Sequence, residues 1–267
     1  METPSQDYTL AELMISAASY AFKGRGEILA TGITLLPRLA ASLAMKTHSK
    51  DIMMTDSEAY LLSDPNPVGK LPEDFRPKRE TWMGFSRIFD NVWSGKRHAM
   101  VAPSQIDRFG QANISCLGGS YDKPKVALLG VRGFPGNSIC HGNSFFVPEH
   151  SKRVFVPECD MVSSIGYNQE RLPKGYKLSD IDIGIIVTDL CVMDFKGKNH
   201  KPRIKSLHPG IEAAMVAEKT GFELEMQDDI PTTKAPTTHE LSILKKLDPH
   251  GMRHKVIKEN PKGDRSL

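Results

Sequence analysis

Arg132, Asn137, His141 and Asn143 crowd into one short run, GVRGFPGNSICHGNS (130–144), together with Gly130, Gly133 and Gly136. Glycines at this spacing bare the main chain, since each tolerates positive φ and leaves no Cβ between a ligand and the backbone N–H groups. The chemistry on offer is hydrogen bonding to an electron-rich group. The preceding apolar run, Val126 to Leu129, reads as a buried strand. That sets the glycines at a strand's carboxyl end, where open α/β sheets bind ligands. A tight turn with scattered polar residues is the plainer alternative. A dinucleotide fingerprint fits poorly. The spacing is G-x-x-G-x-x-G rather than G-x-G-x-x-G, and Gly142 and Pro148 interrupt the helix that should follow. Cys140 beside His141 offers a thiol and a base, but neighbours in an extended chain point apart. A second polar run, PSQIDRFGQANIS (103–115), sets Gln105, Asp107, Gly110 and Asn113 on a turn in the pattern Q-x-D-x-x-G-x-x-N.

The elements that must position these loops alternate. Thr9 and Glu12 form a capping box ahead of a helix reaching Ala21. EILATG (27–32) is a short strand, 34–45 a helix with Leu36, Leu39, Ala40 and Leu43 on one side, and DIMMT (51–55) the next strand. This rhythm predicts a parallel sheet covered on both faces. Residues 56–80, with Pro65, Pro67, Pro72 and Pro77 among many charges, read as a long loop, either functional or disordered. A helix from about Met83 to Trp93 and a strand from His98 to Ala102 restore the alternation. Further strands follow over 153–157, 181–195 and 202–207, and the turn at Lys196–Asn199 makes this part antiparallel. Ile211–Thr220 and the segment from Thr237 to Leu247 are helices. The sum is a single α/β domain over 1–249, an open mixed sheet covered by helices, with a frayed polar tail over 250–267.

With 267 residues the chain can bury a substantial core. Its formal charge of +3 is too small to point to nucleic acid. No apolar stretch approaches the ~20 residues that cross a bilayer, and METPSQDYT lacks a secretory pattern. Cys116, Cys140, Cys159 and Cys191 contain no C-x-x-C pair, so they read as reduced thiols of a cytoplasmic protein, with neither a disulfide framework nor a metal site.

The order of the Q-x-D-x-x-G-x-x-N turn, the glycine run, LHPG (207–210), TGFELE (220–225) and a last helix ending LDP (247–249) resembles the β subunits of family I coenzyme A transferases over nearly the whole chain. The resemblance implies that family's β-subunit fold. It also implies an α subunit of the same fold as partner, in a heterodimer or an α2β2 heterotetramer. Coenzyme A would enter as part of an acyl-CoA substrate, with no separate cofactor. In the family's transferases a glutamate just after a strand attacks the thioester. Here the matching triplet is Thr55-Asp56-Ser57, so a threonine stands in the glutamate's place. Asp56 and Glu58 remain as a shifted nucleophile or a general base, or else they cap a helix reading EAYLL. Arg132 takes the third position of the family's G-x-G-G, a cation where close backbone approach is expected.

Both departures, with the wording TDSEAYLLSD and HSKRVFVPECDMVSSIGY, resemble a divergent branch, the ring-opening CoA hydrolases of bacterial steroid catabolism. That branch implies hydrolytic carbon–carbon cleavage, which needs a general base and an oxyanion stabiliser. On this resemblance the catalytic candidates are Asp56, Glu58 and Arg132. The substrate- and CoA-binding candidates are Gln105, Asn113, Gly130, Gly133, Gly136, Asn137 and His141. Arg76, Lys78 and Arg79 either meet the phosphates of CoA or form a solvated face. A working transferase using Glu58 or Asp56, and a scaffold that only completes its partner's pocket, are the two other readings.

Overall fold

The computed structural model describes residues 3–266. Thr9 and Glu12 close the expected capping box on helix α1 (Leu10–Ser19), which is buried along its whole length. Strand β1 (Leu29–Gly32) and helix α2 (Leu35–Lys46) follow, with Leu36, Leu39, Ala40 and Leu43 turned to the core. Only glycine fits their junction, because a Cβ on Gly32 would sit 2.2 Å from the Pro37 carbonyl oxygen. Strands β2 (Met54–Thr55), β3 (Tyr60–Leu62) and β4 (Arg79–Trp82) then form a small antiparallel sheet. DIMMT therefore leaves the main sheet after one bridge between Leu29 and Met53. The segment 56–80 is correspondingly no bare loop, since both its ends are paired strands.

Helix α3 (Gly84–Trp93) and strand β5 (Arg97–Val101) lead into two hairpins, β6 (Gln105–Ile106) with β7 (Ala112–Asn113), and β8 (Cys116–Gly119) with β9 (Pro124–Ala127). Helix α4 (Phe134–Cys140) and strands β10 (Gly142–Val147), β11 (Ile183–Thr188), β12 (Cys191–Asp194) and β13 (Arg203–Leu207) come next, then helices α5 (Ala213–Lys219) and α6 (Thr238–Leu247). The main sheet runs β1-β5-β10-β11-β12-β13. Its first four strands are parallel and its last two antiparallel, the mixed sheet that the sequence predicts. Alternation along the strands splits the core in two. Met100, Phe146, Ile185 and Val187 face α1, α2 and α6. Ala99, Val101, Phe145 and Val147 face Phe134 of α4, Phe155 and Val216 of α5.

Three sequence expectations are corrected. Val126 and Leu129 are exposed, on and just after an outer hairpin strand, so the run before the glycines is not a buried strand. A continuous apolar run fits a core strand and a surface awaiting a partner equally well. The segment 153–157 makes one bridge, from Phe155 to Ile106, and is otherwise turn. Finally, the polar tail is not frayed. The Pro261 carbonyl and the Asn260 Oδ1 accept from Leu10 N and Ala11 N at 2.8 and 2.9 Å, taking up donors that a helix start leaves free. Arg253, buried, donates to Glu12 Oε1 at 2.8 Å and Asp248 Oδ2 at 3.1 Å. Polar composition hid these residues because their partners are a helix terminus and a buried carboxylate rather than water.

Two predictions follow from these contacts. Removing one partner of a buried ion network leaves charge uncompensated, so Arg253→Ala should cost about 3–5 kcal/mol in urea unfolding. Glu12→Gln combined with Arg253→Met should cost less than the two single losses added. The second concerns acid. Burial pushes the His208 imidazole down to about 4, although its Nε2 donates to the Thr188 carbonyl at 2.8 Å, and it pushes His150 down to about 3. Between pH 6.5 and about 4 the unfolded chain binds a proton that native His208 refuses, so stability must fall with pH across that window. The loss from His208 approaches about 3 kcal/mol at the acid end. His208→Gln should flatten that limb of the unfolding-midpoint profile; an unchanged limb would contradict the assignment.

Candidate functional site

Helix α4 begins inside the glycine run and lies over one face of the main sheet, with the Phe134 ring edge-on to Phe145 at 6.3 Å. Before it the chain turns through Gly130 (φ +78°) and Arg132 (φ +51°). Positive φ is uncommon in a residue with a Cβ and persists where its surroundings over-determine it. Arg132 thus keeps a glycine-like backbone while projecting a guanidinium. That guanidinium is exposed and makes no hydrogen bond or ion pair with any described residue.

Between α3, α4 and the carboxyl ends of β1 and β5 lies a cavity of about 940 Å³. Ile88, Phe89, Val92 and Trp93 of α3 form its apolar wall. Arg132, Gly133, Gly136 and Asn137 form the opposite side, with Arg97 from the sheet and Ser104 from the loop after β5. Among the described residues no Asp or Glu lines it. An apolar chamber with a few convergent polar groups and net positive charge suits an acyl group that carries or develops an oxyanion.

Four of the sequence candidates meet here: Arg132, Gly133, Gly136 and Asn137. The others fall elsewhere, for visible reasons. Gln105 and Asn113 are buried in β6 and β7 and satisfy each other, Asn113 Nδ2 donating to Gln105 Oε1 at 2.8 Å. Gln105 also donates to Asp160 Oδ2 at 3.0 Å, so its amide braces the turn rather than facing a ligand. Asp107 holds the Phe109 and Gln111 N–H groups, as its place in the turn predicts. Gly130 does not line the cavity. His141 sits behind α4, where burial brings its imidazole down to about 4. Its Nδ1 donates to the Gly142 carbonyl at 2.9 Å, leaving a neutral ring whose Nε2 has no partner.

Asp56 and Glu58 are likewise absent from the cavity lining. The run EAYLL is a turn and strand β3, not a capped helix. Asp56 Oδ1 accepts from Glu58 N at 2.9 Å and Tyr60 N at 3.0 Å, and Oδ2 from Arg79 Nε at 2.9 Å. Burial raises its carboxyl, but these donors outweigh it and hold the group below the ordinary range. Arg79 also pairs with Glu58 at 2.7 Å and stacks over the Tyr60 ring. Lys78 pairs with Asp64, and Arg76 donates to the carbonyls of Glu73 and Phe75. The charge run is therefore engaged with its own segment. Thr55, half-buried on β2, precedes this network.

The residue that sequence reasoning missed is Arg97. It opens β5, where its Nε donates to Thr31 Oγ1 at 3.1 Å and its Nη1 to Asn137 Oδ1 at 3.4 Å. The available signal was a charge at the head of a short strand, RHAMV.

No protein-family model matches the chain. Over 252 residues it is 38% identical to the cholesterol ring-cleaving hydrolase IpdB subunit of Mycobacterium tuberculosis, covering 94% of this chain and 99% of that relative. The crystal structure of Rhodococcus jostii RHA1 IpdAB superposes with a TM-score of 0.85 at 37% identity, over 94% of this chain and 98% of that one. Glutaconate coenzyme A-transferase from Acidaminococcus fermentans shares the fold, with a TM-score of 0.76 at 22% identity over 92% of this chain and 97% of that one.

The network around Asp56 generates a prediction that separates a base from a structural anchor. Asp56→Ala removes a buried acceptor of three hydrogen bonds and should cost about 2–3 kcal/mol of stability. The chemical step should survive in whatever fraction stays folded. A rate loss above ~10³-fold with an unchanged melting temperature would make Asp56 a catalytic base instead.

Proposed function

The chain belongs to the family of IpdB-type hydrolase subunits, built on the family I CoA-transferase fold, and we propose that it is the β subunit of an acyl-CoA hydrolase that opens the last ring of a degraded steroid. The reaction is a retro-Claisen cleavage. Water adds to a ring ketone, and the ring carbon–carbon bond breaks. Its electron pair passes to the neighbouring carbonyl as an enolate, which then takes a proton on carbon, while the former ketone becomes a carboxylate. Coenzyme A enters only as part of the substrate.

One observation supports this reading. Thr55 stands where the transferases' motif has its nucleophilic glutamate, and the two nearest carboxylates, Asp56 and Glu58, are tied to Arg79. A glutamyl-CoA thioester has no carboxylate to form on, whereas water-driven cleavage needs none. This chain contributes charge to the developing enolate through Arg132, aimed from a backbone that close approach favours. The general base comes from the α subunit, because no carboxylate among the described residues lines the cavity. That subunit covers the face where Phe85, Phe89, Trp93 and Leu129 are exposed, since clustered exposed apolar side chains mark interaction surfaces. The reaction runs in the cytoplasm, in keeping with four free thiols. No helix among the described residues is long and apolar enough to cross a membrane.

The test is isotope exchange of CoA between an acyl-CoA and a free acid, run beside ring opening on the αβ complex. Wild type should hydrolyse carbon–carbon bonds and exchange no CoA. Arg132→Ala should lower kcat/KM by ~10²–10³-fold, the scale of one positioned electrostatic donor. Lysine should recover only part. Robust exchange that vanishes in Glu58→Ala would overturn the reading in favour of a transferase.

A further inference from the structure

We propose that Arg97 is an anion-binding residue of the cavity, held by Thr31 and Asn137 so that its remaining N–H groups meet an oxyanion on the acyl part of the substrate. The proposal rests on the hydrolase reading and names a contact of the same site.

Arg97 lies on an interior strand, between β1 and β10, and is half-buried. Its two hydrogen bonds, to Thr31 Oγ1 and Asn137 Oδ1, reach neutral oxygens. A guanidinium has five donors in a rigid fork, so most of its capacity stays open. Withdrawing that charge from water without a counter-charge is costly. Burial accordingly pulls the Arg97 guanidinium below its ordinary range. The buried Arg253 avoids this cost by meeting Glu12 and Asp248, and the partly buried Arg203 by meeting Asp194. Arg97 instead faces an apolar chamber it shares with Arg132, with no acid on the wall.

The two acceptors also set direction. Thr31 anchors the Nε edge and Asn137 one Nη, which fixes the plane of the fork. Asn137 is itself fixed, because its carbonyl accepts from His141 N and from Asn143 Nδ2 at 3.0 Å. The glycine run thus reaches Arg97 through Asn137. An oxyanion in this place has two sources: a carboxylate carried by the substrate, or the enolate oxygen that forms as the ring opens.

The experiment uses the αβ complex with Arg97→Gln, Arg97→Lys and Thr31→Val. Calorimetry reads the binding of glutaryl-CoA, which bears a distal carboxylate, and of chain-matched valeryl-CoA; kcat and KM are read for ring opening. If the anion is a substrate carboxylate, Arg97→Gln weakens glutaryl-CoA by about tenfold to a hundredfold and leaves valeryl-CoA unchanged. If it is the enolate, both probes bind as before and kcat falls by ~10²–10³-fold. In either case Arg97→Lys recovers part, and Thr31→Val gives a smaller loss of the same kind. Three results overturn the proposal: equal weakening of both probes, unchanged binding and rate, or dissociation of the subunits, which would mean that Arg97 pairs with an α-subunit acid. The binding arms do not require turnover. Discrimination between the probes without ring opening by wild type would refute the hydrolase and leave Arg97 in place.

Discussion

Every part of the site hangs on the register of strand β5. It pairs in parallel with β1 on one side and β10 on the other, so Arg97 sits across from Leu29, and Ala99 from both Thr31 and Asn143. Side chains alternate along a strand, and a slip of one residue exchanges the two faces. In this register Arg97, Ala99 and Val101 face the chamber under α4, while His98 and Met100 face the other way. His98 is fully buried and contacts Ser144 Oγ at 2.9 Å. A slipped strand would bury the guanidinium among α1 and α2 and turn the histidine into the cavity. The glycines beside it enforce the choice, since a Cβ on Gly142 would lie 2.6 Å from both His98 Nδ1 and Asp182 Oδ2.

The chain sets its charges in two kinds of surroundings. Buried carboxylates at Glu12, Asp248 and Asp194 each meet an arginine, and Asp56 adds backbone donors. The Glu12–Arg253 pair joins segments 241 positions apart, whereas the Asp194–Arg203 and Asp248–Arg253 pairs are local. The half-buried Arg97 lacks such compensation and shares one apolar chamber with the exposed Arg132. Stability alone gives no reason to keep an uncompensated cation at Arg97.

The sequence carried the mixed sheet because period and punctuation both report it: the capping box at Thr9, the apolar stripe on α2, and a turn between β12 and β13. Glycine spacing is likewise a local signal, and Arg132 and Asn137, which line the cavity, lie within it. That Gln105 and Asn113 lie outside the cavity was not legible, because a buried amide pair and a ligand-facing amide are spelled alike. The pairing of Asp56 and Glu58 was hidden because Arg79, which meets both, is more than twenty residues away in the chain. Arg97 needed the tertiary structure outright. Its partners, Thr31 and Asn137, come from two different elements, and no pattern in the sequence brings the three together.

The docking of the tail onto α1 has a consequence for how the molecule comes to exist. Asn260 and Ala11 are separated by 249 positions, and Arg253 and Glu12 by 241. A ribosome delivers Ala11 and Glu12 long before Asn260 and Arg253. Until then, α1 lacks acceptors for part of its opening turn, and Glu12 has no cation to share its burial. The helix at the centre of one core can assemble against α2 early but cannot be completed, because closing so long a loop is the slow, entropically opposed step of folding. Nascent chains should therefore be vulnerable to proteases and chaperone-bound until synthesis nears residue 260, and the native state should arrive as a late, cooperative event rather than element by element.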